Sequence, residues 1–188
     1  MKALMLTLLF CLVLTSSFSQ KIDPAPPGKS VVYFVRPSAM GFAINFSYFD
    51  STKLIARFNG GKYIRYECEP GKHLFWARSE NRVFMESDLE PGKIYFLKAS
   101  PQMGMMKAQV GMAQVDPNDP KVMKNIFKMM AKKPAETFTE AQIADASKDL
   151  QNVVERGMAK YKEDKAGGKN ILQLDKSKFY NESATVAK

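Results

Sequence analysis

Between residues 30 and 116 apolar side chains come in about eight short runs broken by turn-forming residues; beyond 116 they recur at steps of three and four. The runs are SVVYFVR, FAINFSYFD, KLIARF, KYIRYEC, HLFWARS, RVFMESD, KIYFLKAS and AQVGMAQV. Short runs at this spacing predict an antiparallel β-sandwich or barrel. In FAINFSYFD, Ile44, Phe46 and Tyr48 fall on one face while Asn45 and Ser47 fall on the other, as a strand with one wet side requires. SVVYFVR is apolar on both faces, so it should lie centrally and be covered on both sides.

The tetrapeptide EPGK occurs twice, at Glu69–Lys72 and Glu90–Lys93, each time ahead of an aromatic run. Proline presets φ at the second corner of a turn and glycine takes positive φ at the third, so Pro-Gly predicts a type II turn. Each copy is expected to reverse the chain at a sheet edge, launching HLFWARS and KIYFLKAS in equivalent directions with RVFMESD between them. Asp50-Ser51-Thr52-Lys53 and Asn59-Gly60-Gly61-Lys62 are read as hairpin connections.

After residue 116 the pattern is helical. Asp119-Pro120 supplies an N-cap and a first-turn proline. In the next stretch Lys121, Lys124, Lys128 and Lys132 gather within roughly an 80° arc, opposite Val122, Met123, Ile126, Phe127, Met129 and Met130. A second helix starts at a capping box of Thr139 and Gln142, with Phe138 and Ile143 placed as a hydrophobic staple. It is expected to continue to Gly167-Gly168 over about 38 Å, bending near Gly157 or projecting from the domain. The fold expected is mainly β with appended α: an antiparallel β-sandwich followed by two amphipathic helices. The divisions are a signal peptide (1–19), a linker (20–28), the sandwich (29–117), a helical extension (118–168) and a C-terminal tail (169–188). In that tail Ile171, Leu172, Leu174, Phe179 and Tyr180 are candidate docking points.

The first residues change the picture from fold to compartment. Lys2, an apolar run from Ala3 to Leu14, and Ser17 and Ser19 before Gln20 read as a cleaved secretory signal. The run is too short to cross a bilayer, and Cys11 follows Phe10 where lipid modification wants a small residue. The expected location is the periplasm or the cell exterior, with no transmembrane helix after cleavage. Without Lys2 the 28 basic side chains become 27 against 19 acidic, a charge of +8 that favours anionic partners. In an exported protein those are an envelope protein or an anionic membrane surface rather than nucleic acid. Cys68, alone after cleavage, cannot form an intrachain disulfide, so the core must hold the fold.

Three features resemble a known family: Val-Tyr-Phe-Val-Arg-Pro opening the domain, a hairpin leading into Glu-Pro-Gly-Lys-His, and Glu-Pro-Gly-Lys-Ile-Tyr-Phe-Leu before a Gly/Met-rich segment. Over residues 29–117 the chain is similar to bacterial envelope proteins of domain-of-unknown-function family 2846, and more distantly to PEGA-type surface modules. That resemblance implies a small β-sandwich at the envelope with no known catalytic residues. The chain departs from it in the helical extension and in lacking a usable lipid-modification cysteine.

Chemistry is sparse. The chain has one histidine and two cysteines, too few for an ordinary zinc site, and none of Gly-x-Ser-x-Gly, His-Glu-x-x-His or a phosphate-cradling glycine loop. His73 is expected to be an ordinary exposed or half-buried imidazole, and Glu86, Asp88 and Glu90 a wet strand end. The aromatic set Tyr63, Tyr66, Phe75, Trp76, Phe84, Tyr95 and Phe96 is expected in the core rather than as a sugar-stacking face. No catalytic, cofactor or metal residue is assigned. The candidate contact surface is Met103, Met105, Met106, Lys121, Lys124, Phe127, Lys128 and Lys132, in a non-enzymatic binding or structural module. The alternative is soft-metal, copper(I), or small-ligand binding at the methionine segment, since thioethers suit copper(I). For the lysine helix, two outcomes are open: an apolar face packed on the sandwich, or one lying on a membrane or partner.

Overall fold

A computed structural model describes residues 22–37, 43–103 and 108–181. Its strands are β1 (Ser30–Arg36), β2 (Phe46–Asp50), β3 (Lys53–Phe58), β4 (Lys62–Cys68), β5 (Gly71–Arg78), β6 (Arg82–Leu89), β7 (Ile94–Met103) and β8 (Ala108–Gln114). They are followed by helices α1 (Pro120–Met130), α2 (Glu140–Lys148) and α3 (Gln151–Ala166), then a short strand β9 (Leu172–Gln173). The protein is mainly β with appended helices. One sheet, A, has the order β4-β1-β7-β8, and the other, B, the order β3-β2-β5-β6-β9.

Three apolar layers hold the assembly. Val32, Phe34, Phe46, Tyr48, Phe58, Phe75, Tyr95 and Leu97 lie between the sheets. Val31, Tyr33, Val35 and Phe96 lie on the outer side of sheet A beneath α1. Phe49, Leu54, Trp76 and Phe84 lie on the outer side of sheet B beneath residues of α2 and α3. β1 is buried along its whole length, as its two-faced apolar pattern requires. Of the seven aromatics, six are buried and Tyr66 is half-buried against the inter-sheet layer, so this group is core. Ser47 is buried too, at 4% exposure, where alternation had put a wet face.

The pairing is not antiparallel throughout. β1 runs parallel to β7 and β6 runs parallel to β9, while the remaining pairs are antiparallel. For β1 and β7 the cause is that both EPGK segments are crossings between sheets rather than edge reversals; β9 reaches β6 only after the helices. The first EPGK carries the chain from β4 in sheet A to β5 in sheet B, and the second from β6 in sheet B to β7 in sheet A. HLFWARS and KIYFLKAS therefore belong to different sheets. Both crossings sit at one end of the sandwich beside the start of β1. Lys29 pairs with Glu69 of the first, and the Ser30 hydroxyl donates to the Glu90 carbonyl of the second at 2.8 Å. Gly92 takes φ +73°, the type II requirement, and Gly71 takes φ +108° as β5 begins. Asn59–Lys62 is also a crossing, from β3 to β4, and not a hairpin; of the two expected hairpin connections Asp50–Lys53 is one, joining β2 to β3 with Asp50 facing Lys53.

The expected second helix is two. α2 starts at its capping box, with Gln142 N–H donating to the Thr139 hydroxyl and the Gln142 side chain accepting from Thr139 N–H. Phe138 packs on the inter-sheet layer and Ile143 on the outer layer of sheet B, so the staple positions serve different cores. The chain then turns at Asp149–Leu150. Ser147 donates its hydroxyl to the Ile143 carbonyl at 2.6 Å in the last helical turn, and Leu150 enters the apolar layer at 5% exposure. Gly157 is no bend. It lies inside α3 where the Trp76 indole approaches so closely that a Cβ would come within 2.6 Å of the ring.

The ends of the described chain are tied in. Ile22, 4% exposed, packs in the layer beneath α1. β9 extends sheet B, and Gln114 on β8 holds the following turn by accepting from Asp175 N–H and donating to its carbonyl, both at 2.8 Å. Tyr180 then donates its backbone N–H to the Ile94 carbonyl at 2.7 Å and sets its ring edge-on to Phe96 and Phe127.

Candidate contact surface

α1 begins where Asp119 accepts hydrogen bonds from the amides of Lys121 (2.9 Å) and Val122 (3.2 Å), with Pro120 in the first turn. Its apolar face is covered. Met123, Ile126, Met129 and Met130 are buried against sheet A, and Val122 and Phe127 are half-buried beside them. Phe127 is thus part of the packing beneath Tyr180, not an exposed contact. The opposite face is cationic: Lys121, Lys124 and Lys128 are exposed, as are Lys132 and Lys133 just past the helix. None of the five is ion-paired among the described residues. Lys128, in the last turn, also suits the negative end of the helix dipole.

Lys128, Lys132 and Lys133 line an open groove of about 500 Å³ with Asn125, Pro37 and Gly61. The sequence pattern identified two of these lysines. It missed Lys133, adjacent in the chain, and it had no means of placing the crossing residues Pro37 and Gly61 beside the helix.

The methionine segment separates into parts. Met103 ends β7 and is 99% exposed, Met112 is buried in the inter-sheet layer, and Met105 and Met106 lie outside the described residues. Among the described residues no three His, Cys, Asp or Glu side chains group as a metal site.

Two polar clusters went unread in the sequence. In the first, Asp50 at the end of β2 receives the Tyr66 hydroxyl at 3.1 Å and the His73 Nδ1 at 2.7 Å. His73 Nε2 meets the Glu69 carbonyl at 2.8 Å, so both ring nitrogens face acceptors, an arrangement that favours the imidazolium. The hydrogen bond to Asp50 raises its pKa above the ordinary value, against an opposing effect of burial. Nearby, burial and the charges of Asp50 and Glu69 push the buried Cys68 thiol up to about 12. A thiol at that value supplies almost no thiolate at neutral pH. His73 ties Glu69 of the first crossing to Asp50 at the end of β2, and the Cys68 thiol lies 3.8 Å from the Ser30 carbonyl it donates to.

In the second cluster Glu86 of β6 accepts from Lys165 and Tyr161 of α3, and from Gln173 of β9 at 2.9 Å. These hydrogen bonds, that from Lys165 first, lower its pKa to about 2. Glu86 is thus the polar anchor of α3 and β9, not a wet strand end. The signal was absent from local sequence because its partners lie more than 70 positions away.

No protein-family model matches the chain, and no curated protein matches it. Among the described residues no helix is long and apolar enough to cross a membrane.

Proposed function

We propose that the protein is a non-enzymatic, exported binding module whose lysine face, Lys121, Lys124, Lys128 and Lys132 with Lys133, rests on an anionic membrane surface of the envelope. The observation that carries this reading is the division of α1: its apolar side is spent on sheet A, and its outward side with the residues just past it carries five exposed lysines without ion pairs among the described residues. A helix whose apolar face is already buried cannot insert into acyl chains, so the contact is electrostatic and peripheral. Each lysine near an anionic bilayer is worth about 1 kcal/mol, and the attraction fades beyond a Debye length of about 10 Å at 0.1 M salt. Two further points support a non-catalytic role: the engaged imidazole of His73 and the raised thiol of Cys68. The resemblance over residues 29–117 accords with an envelope location.

Pelleting of the protein with anionic phospholipid vesicles tests this reading. Binding should be strong at low salt, weak at about 1 M salt, where the Debye length is about 3 Å, and absent with neutral vesicles. Binding indifferent to salt, or none to either vesicle, would reject it.

A second reading rests on the full exposure of Met103. A soft-metal site at this segment would give copper(I) affinity that falls when Met103, Met105 and Met106 are replaced by leucine. Equal affinities would end it.

A further inference from the structure

A row of arginines crosses sheet B on the side opposite the inter-sheet core. Arg57 of β3 faces Ser47 of β2, Ser47 faces Arg78 of β5, and Arg78 faces Arg82 of β6. Residues directly opposed on neighbouring strands share a face. All three guanidiniums therefore arise from the face that carries Phe49, Trp76 and Phe84. With strands about 4.8 Å apart, Arg78 and Arg82 start about 5 Å from each other and Arg57 starts about 10 Å from Arg78. Arg156 adds a fourth from the flank of α3, one residue before the Gly157 that touches Trp76.

These charges are not used by the fold. None of the four guanidiniums has an ion pair or a side-chain hydrogen bond among the described residues, and Arg82 Nε is buried without a partner. Burial, then the positive charges of Arg78 and Arg156, hold the Arg82 pKa below the usual guanidinium value. The rest of the same layer behaves differently: Lys165 pairs with Glu86, and Lys160 and Lys169 pair with Asp164 at 3.1 and 3.3 Å. Like charges brought together without an anion destabilise the protein by itself, and a bound anion would reverse that cost. Guanidiniums present a planar fork of donors matched to phosphate oxygens, with two bonds per arginine.

We propose that Arg78, Arg82 and Arg156 form a binding site for a phosphate group, and that Arg57 extends it to a ligand bearing further phosphates in line. The site lies across the sandwich from the lysine face and does not depend on the reading given to that face.

Calorimetric titration of the purified protein with inorganic phosphate and with tripolyphosphate tests the site. Tripolyphosphate should bind saturably, one per chain, and more tightly than phosphate. The R78Q/R82Q variant should weaken both by at least about tenfold, the loss expected for hydrogen bonds to a charged group. R57Q should weaken tripolyphosphate and leave phosphate unchanged. Because these arginines have no partners in the fold, R78Q/R82Q should melt no lower than the parent; were it unfolded, R156Q on the exposed flank of α3 gives the same comparison. Lysine replacements at Lys121, Lys124, Lys128 and Lys132 should leave tripolyphosphate affinity intact. Anionic vesicles distinguish the source of the phosphate: pelleting that falls in R78Q/R82Q assigns it to a lipid headgroup, and unchanged pelleting to a soluble ligand. The proposal is overturned if the parent shows no saturable binding, if R78Q/R82Q binds as tightly as the parent, or if the lysine variant loses as much as the arginine variant.

Discussion

The two helical layers cover the same kind of surface, the outer face of a β-sheet, by different means. α1 covers sheet A with one amphipathic helix whose contacts there are apolar, so its polar side, which has lysines and Asn125 but no acidic residue, is left free. α2 and α3 cover sheet B with a close Gly157–Trp76 contact and the Glu86 anchor as well as apolar side chains. A layer held by shape and hydrogen bonds is sensitive to single atoms and to pH. One held by apolar burial is sensitive to volume and indifferent to its outward charges. The difference separates what can be altered for function from what cannot.

Ile126→Ala removes a fully buried side chain from beneath α1 and should cost about 2–5 kcal/mol in chemical denaturation, the range for large-to-small core changes. A loss below about 1 kcal/mol would mean that α1 is not packed as described. Gly157→Ala should cost about 1–3 kcal/mol through overpacking, because the new methyl meets the Trp76 ring, which is itself held by stacking on Phe49 at 3.9 Å and a 2.7 Å bond to the Ser51 carbonyl. Quenching or shift of the single tryptophan's fluorescence reports the same contact. If alanine is neutral there, the close approach is not real.

Smaller effects come from titration. Glu86 has a folded pKa of about 2, below its ordinary 4.5, so its stabilisation is present above 4.5 and is lost as pH falls toward 2. Glu86→Gln should flatten that acid limb and loosen β9, seen as faster amide exchange at Gln173. For His73 the sign is opposite. Its folded pKa is raised above 6.5, so the contribution is complete below 6.5 and is lost as pH rises through the folded value. Replacing Asp50 by Asn should lower the His73 pKa in an NMR titration; an unchanged value would remove the pairing from the account.

Much of the fold was legible because short-range chemistry wrote it. The runs located the eight larger strands, the Asp119 and Thr139 caps located two helix starts, and the double-faced pattern of β1 placed it at the centre. What failed depended on distant partners. EPGK specifies a turn but not which sheet receives the next strand, so the crossings and the parallel β1–β7 pair were hidden. Gly157 looked like a hinge because nothing near it in the chain announces Trp76. The site followed the same rule: the lysines of α1 were visible from helical spacing, whereas the arginine row exists only through the register of four strands.

On the proposed reading α1 divides its labour, with its methionine and isoleucine face for the fold and its lysine face for contact. The most direct test of that division is paired measurement on a variant with Lys121, Lys124, Lys128 and Lys132 all changed to glutamine. The variant should keep its melting temperature and lose low-salt pelleting on anionic vesicles. Undiminished pelleting in that folded variant would contradict the reading.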